Sequence, residues 1–146
     1  MTYEIVNLEE KIVVGVSAVT GNSDPEMGAI IGGLWEKLYQ GGINEQIKNK
    51  VNEYAIGLYS DYKDDQYCVT VGSEVSKADN ENLTAKVIPA GRYAKFSIHG
   101  HMVQAVAQAW EAIWQLDLER SFTGDFEEYY NCDATQADIA IYIALR

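Results

Sequence analysis

The chain has 146 residues, 47% of them apolar and 23% charged, with a formal net charge of −11. That length gives one domain, residues 1–146, with a core of its own. The charge argues against direct nucleic-acid binding, which needs clustered Lys and Arg, and no stretch of 18 apolar residues calls for a membrane span. The opening "MTYEIVNLEE" lacks the basic and apolar regions of a signal peptide, so a cytoplasmic location is expected. Cys68 and Cys132 then read as reduced thiols.

Taken in chain order, "YEIVNLEEKIVVGVSAV" (3–19) reads as a strand with a bend, rich in β-branched residues. "GNSDPEMG" opens a helix, with Asp24 as N-cap and Pro25 at the first helical position. Met27, Ile30, Ile31, Leu34, Trp35 and Leu38 keep helical spacing until Gly41–Gly42 closes it. "EYAIGLYSDY" and "QYCVTVGSEV" form a hairpin around "KDD". The polar run "SKADNENLT" (76–84) is a connecting loop. "AKVIPAGRYAKFSIHG" is a strand pair, or one strand broken at Pro89–Gly91. "HMVQAVAQAWEAIWQLDLE" is a helix with Val103, Val106, Ala107, Trp110, Ile113 and Trp114 on one stripe, and "GDFEEYYN" and "ADIAIYIALR" are the last two strands.

The order strand-helix-strand-strand thus occurs twice, in halves of about 1–75 and 84–146, and "GLWEKLYQ" is echoed by "QAWEAIWQ". One such unit cannot cover both faces of its sheet. Two related by a pseudo-two-fold axis can share one antiparallel sheet, with both helices on one face and a groove near the axis. The fold class is therefore α+β, and the groove is the candidate ligand site.

Ten Tyr and three Trp supply large apolar faces with polar handles. In "DFEEYYN", Glu127 and Tyr129 share one strand face while Phe126, Glu128 and Tyr130 share the other. Either glutamate fits a groove, and the pattern alone does not choose. A carboxylate among aromatic rings pairs with a lipophilic cation, or, with its pKa raised by desolvation, acts as a general acid or base. In the first half Tyr59 matches Tyr129, and Gly57 stands where Glu127 does, which suggests one glutamate opposite a gap. Trp35 and Trp110 are equivalent, as are Tyr39 and Trp114, and aromatics on an apolar stripe are more often core than ligand contacts. Tyr142, flanked by Ala140 and Ala144, has space around its ring, which suits a pocket wall or a half-exposed strand. His99 and His101 lack a third ligand nearby, so no metal is expected, nor any other cofactor.

The string "IPAGRYAKFSIHGHMVQAVAQAWEAIWQ" with "DFEEYYN" and "DIAIYIALR" resembles the GyrI-like, or AraC-type effector-binding, domain family. The matching positions are Gly91 and Tyr93, His99 and Gly100, Trp110, Phe126-Glu127-Glu128-Tyr129 and Tyr142-Ile143-Ala144-Leu145, with Ala144 where the family usually has Pro. The resemblance implies a binder of small lipophilic, often cationic compounds. It selects Glu127, sets Tyr142 beside Glu127 and Tyr129, puts Phe126 under the helices, and places Met102 at the groove mouth. It also implies an alternative, hydrolysis of cyclopropane-bearing electrophiles, with Glu127 activating water and a Tyr such as Tyr142 donating a hydrogen bond. The charge motivates a third reading, an acidic surface docking a basic protein partner. The sequence leaves the oligomeric state open.

Overall fold

The computed structural model describes residues 2–146. The chain runs β1 (Glu4–Leu8), β2 (Lys11–Thr20), α1 (Met27–Tyr39), α2 (Ile43–Gln46), β3 (Ala55–Lys63), β4 (Gln66–Val75), β5 (Thr84–Ile88), β6 (Gly91–Gly100), α3 (Met102–Trp114), β7 (Asp125–Tyr129) and β8 (Ala137–Ala144). All eight strands join one curled antiparallel sheet in the order β1-β6-β8-β7-β3-β4-β2-β5. That order is unchanged when the first-half strands are exchanged for their second-half counterparts, so a pseudo-two-fold axis passes between β3 and β7. The α+β fold of two strand-helix-strand-strand units is the one the repeat predicts.

The duplication carries one feature that periodicity hides. Residues 3–19 form two strands, and β1 leaves its own half to pair with β6. Its counterpart β5 crosses the other way to pair with β2. Each half thus lends an edge strand to the other. The breaks fall at the charged Glu9-Glu10 in the first half, and in the second at Pro89, which has no N–H to donate to a ladder.

Each helix covers its own half on one face of the sheet. Leu34 and Leu38 of α1 pack on Val14, Val69 and Val71, and Ala109 and Ile113 of α3 pack on Phe96, Ile141 and Ile143. The other face carries no helix. There Ile56, Leu58, Tyr93, Phe126 and Tyr142 meet Ile88 of β5, with Val6 and Leu8 of β1 packed against them. Phe126 therefore lies away from the helices, contrary to the expectation that it packs beneath them. Both faces of the central strands are core because the sheet curls and its exchanged edges close over the helix-free side.

The helix starts differ in kind. Asp24 does not cap α1: it accepts the Glu26 N–H and the Thr20 hydroxyl, holding the turn that precedes the helix. The α3 N-terminus is capped by His101, whose Nδ1 accepts from Val103 N and Gln104 N at 3.3 and 3.4 Å.

Where β2 crosses β4, Gly15 and Gly72 are cross-strand partners. A Cβ on Gly15 would lie 1.8 Å from the Val71 carbonyl oxygen, and one on Gly72 1.9 Å from that of Val14. No rotamer relieves a clash with backbone, so the strands must separate. Gly72→Ala is expected to cost about 3 kcal/mol, the upper range for overpacking, and to lower the melting temperature by roughly 10 °C in a thermal scan. An unchanged melting temperature contradicts the close approach.

Candidate functional site

Glu127 is the middle residue of β7, and its cross-strand partner on β3 is Gly57, beside the pseudo-two-fold axis. The pleat points Glu127 toward the helices. A Cβ on Gly57 would stand 3.3 Å from Trp35 Cζ2 and 3.4 Å from Glu127 Oε1. The missing side chain is what allows the Trp35 ring edge and the carboxylate to share that space. What the sequence presents as a gap is filled by these two groups.

The Glu127 side chain is buried, with the residue 3% exposed. Three neutral donors reach it. Trp110 Nε1 donates to Oε2 at 2.7 Å, the Tyr59 hydroxyl to Oε2 at 3.0 Å, and the Tyr129 hydroxyl to Oε1 at 2.7 Å. Among the described residues no Lys, Arg or His pairs with it. Burial holds its carboxyl above the usual glutamate value, and the hydrogen bonds from Tyr129, Trp110 and Tyr59 act against that rise. Burial, then the neighbouring carboxylate, pushes the Tyr59 and Tyr129 hydroxyls well up, so both stay protonated donors.

On one side of this carboxylate lies a cavity of about 700 Å³. Its walls are the first half of α1 (Met27, Ile31), the second half of α3 (Ala107, Trp110, Trp114) and the β3–β4 hairpin. That volume is within the range of small-molecule sites. An aromatic strip lines it. Trp114 leans on Trp110 at 6.2 Å, Trp110 meets Tyr59 edge-on at 5.5 Å, Tyr59 meets Tyr67 at 5.5 Å, Tyr67 meets Tyr62 at 6.0 Å, and Tyr62 meets Phe122 at 5.7 Å. Glu127 is not itself among the lining residues: Tyr59 and Trp110, its donors, stand between it and the open space. The rim adds Asp64, Asp65 and Glu111 against Lys63.

The structure brings Tyr59, Gly57, Trp110, Tyr129 and Trp35 around Glu127, but in unequal roles. Tyr59 and Trp110 border the cavity. Tyr129 and Trp35 lie on the other side of the carboxylate, where Ala55, Ala137 and Ile139 pack with Trp35, Met102 and Val106. Met102 is thus part of a packed cluster and not at the mouth of the cavity. Tyr39 stacks on Trp35 at 6.2 Å and is largely exposed.

Tyr142 is elsewhere. In the β7–β8 register it pairs with Phe126, and Ile141 pairs with Glu127. Partners across a ladder share a face, so Tyr142 sits on the helix-free side. It stacks on Phe126 at 4.4 Å, with its hydroxyl 3.2 Å from that of Tyr130. It cannot line a groove with Glu127 or donate to a substrate there.

Sequence reasoning missed the opposite end of the strip. The ladder shifts between Ser60 and Lys63, and Asp61 adopts φ +53°. This bulge returns Tyr62 to the side of Tyr59, although strict alternation would separate them. The Tyr62 hydroxyl donates to Oδ2 of the buried Asp125, as does Arg120 Nη2 at 2.7 Å. Only Asp61, which tolerates a left-handed backbone, hinted at the bulge.

The family model of the GyrI-like small molecule binding domain matches residues 1–146. Among solved structures, SAV2435 bound to tetraphenylphosphonium is similar at 19% identity, covering 100% of this chain and 94% of its own, with a TM-score of 0.82. An integron cassette protein from the mobile metagenome of Vibrio cholerae is 26% identical, covering 99% and 95%, at 0.78. A Staphylococcus aureus protein described as a putative bacterial transcription regulation protein is 21% identical, covering 98% and 97%, also at 0.78. A search of curated proteins finds no match. With its whole length matched and its sheet, helices and aromatic cavity in place, the chain belongs to the GyrI-like small molecule binding domain family.

Proposed function

We propose that the protein binds small lipophilic cations in the aromatic cavity, with Glu127 as the charge that draws them. The observation that carries this reading is a buried carboxylate with three neutral donors and, among the described residues, no protein cation. Folding a chain around an uncompensated buried charge is costly. A cationic ligand beyond Tyr59 and Trp110 supplies the missing charge across a short, poorly screened path, and the ring faces add about 0.5–2 kcal/mol per cation–π contact. The acidic rim attracts the same ligands from a distance. SAV2435, bound to tetraphenylphosphonium, is a precedent in the same fold for an aromatic cation of this kind.

Titration with tetraphenylphosphonium, followed by the fluorescence of Trp110 and Trp114, tests the reading. Glu127→Gln keeps the side-chain shape and removes the charge, and is expected to weaken binding roughly tenfold or more, as losing a charged interaction of about 1.5–3 kcal/mol does. Equal affinity in the two proteins would rule out the carboxylate as the attracting group.

Proton competition gives a second check. The cation favours ionised Glu127, so affinity is expected to rise with pH until it passes the raised value of the free folded protein, then level off. Glu127→Gln is expected to lack this rise.

Stability of the free protein moves the other way. A carboxyl whose folded pKa is raised favours folding when protonated. Its contribution is complete below 4.5 and is lost as pH climbs through the folded value. The melting temperature of Glu127→Gln is therefore expected to gain on wild type as pH rises above 4.5 and through the folded value. A constant difference over that range contradicts the buried-charge argument.

A further inference from the structure

At the end of the cavity away from Glu127, Arg120 is built as a donor that the protein does not use up. Asp125 is 0% exposed, and both its oxygens are engaged: Oδ1 accepts the Ala144 N–H at 2.8 Å, and Oδ2 takes the Tyr62 hydroxyl and Arg120 Nη2. With Oδ1 turned to the backbone, Asp125 cannot grip the guanidinium with the two-pronged contact that Arg and carboxylate usually make. Five N–H donors are present on that group. One goes to Asp125, and among the described residues Nε is buried without a partner, which leaves the remaining Nη donors as those free to meet a ligand. The side chain is 17% exposed and borders the cavity.

Its position is fixed from three sides. The Arg120 backbone bridges to Leu145, and the neighbouring Ser121 N–H bonds the Ala144 carbonyl. The guanidinium lies over the Phe122 ring, 4.4 Å from Cζ to its centroid. Phe122 holds φ +56°, a left-handed backbone that a bulky residue adopts at a cost, and this conformation keeps the ring on Arg120.

We propose that Arg120 is the second anchor of the site and selects cations bearing a hydrogen-bond acceptor, such as a carbonyl oxygen, at the end remote from the charge. The Arg120–Asp125 pair is neutral as a unit, so it accepts a polar oxygen without repelling the cation held near Glu127. This inference rests on the cation reading and adds to it a direction: charge toward Tyr59 and Trp110, acceptor toward Tyr62 and Phe122.

The test uses two triphenylphosphonium ions of nearly equal shape, one with a 4-carbamoylbenzyl and one with a 4-isopropylbenzyl arm, titrated against the wild-type protein. The carbamoyl compound is expected to bind more tightly, although its arm is the less hydrophobic. Arg120→Met combined with Asp125→Asn removes the donor while keeping an acceptor for the Ala144 N–H, and the new amide nitrogen donates to the Tyr62 hydroxyl. Its preference ratio is expected to fall roughly tenfold, the effect of one hydrogen bond from a charged group. Wild-type protein that binds both compounds without preferring the carbamoyl arm overturns the role of Arg120 and leaves the cation reading standing. Wild-type protein that binds neither overturns both. The comparison within wild type decides the matter even if the double variant does not fold, and an unchanged ratio in a folded double variant also overturns the proposal.

Discussion

One buried carboxylate organises this structure. Glu127 is held dry at the pseudo-two-fold axis, opposite a glycine, by one indole N–H and two phenol hydroxyls. Each part constrains another. The carboxylate needs space, so Gly57 has no side chain. It needs donors, so Tyr59 and Tyr129 occupy equivalent places in the two halves, and Trp110 turns its N–H inward from α3. Those donors are also large apolar surfaces, so satisfying the charge builds an aromatic wall with the same residues.

The axis relates the halves without making them alike. Both helices repeat Met, aliphatic, Trp and aromatic at intervals of four: Met27, Ile31, Trp35 and Tyr39 in α1, and Met102, Val106, Trp110 and Trp114 in α3. The helices could therefore build two equivalent half-sites, each from the start of one and the end of the other. The half with Met27, Ile31, Trp110 and Trp114 is open. The half with Met102, Val106 and Trp35 is closed by packing against Ala55, Tyr129 and Ile139. The two tryptophans differ accordingly, since Trp110 donates to the carboxylate and Trp35 presents only a ring edge to it. With Gly at 57 and Glu at 127, the two half-sites share one carboxylate, and only the half beside Trp110 is open.

Much of this was legible in the chain. Helical spacing and the repeated element order give the two units, and the Gly57–Glu127 difference points to the centre of the site before any register is known. The failures lie where periodicity carries no information. Alternation within a strand says which residues share a face but not which face of the neighbouring strand they join. The resemblance sets Tyr142 beside Glu127, and alternation holds no check on it, because only the register pairs Tyr142 with Phe126. The usual correction, that the less apolar face looks outward, fails in β8 because the curl buries both faces and leaves only Asp138 exposed. Tyr62 was lost to a bulge, and Arg120 lies in an aperiodic segment whose position depends on backbone bonds to the end of β8.

The two kinds of anchor proposed above call for different ligands. Attraction to a buried charge and to ring quadrupoles falls off smoothly with distance and depends little on orientation, so it tolerates many shapes of cation. A hydrogen bond to a fixed guanidinium is directional and rejects misplaced acceptors. The wall between them also decides when desolvation is felt. Because Tyr59 and Trp110 already exclude water from Glu127, a cation entering the cavity loses its own hydration and not that of the carboxylate. That part of the cost was met when the chain folded, so the binding step keeps more of the electrostatic gain, as in any preorganised site. The raised pKa of Glu127 is the trace of that earlier cost. On the cation reading proposed above, a fold that stores charge in this way trades some stability of the free protein for affinity toward cations that share little beyond their charge and their rings.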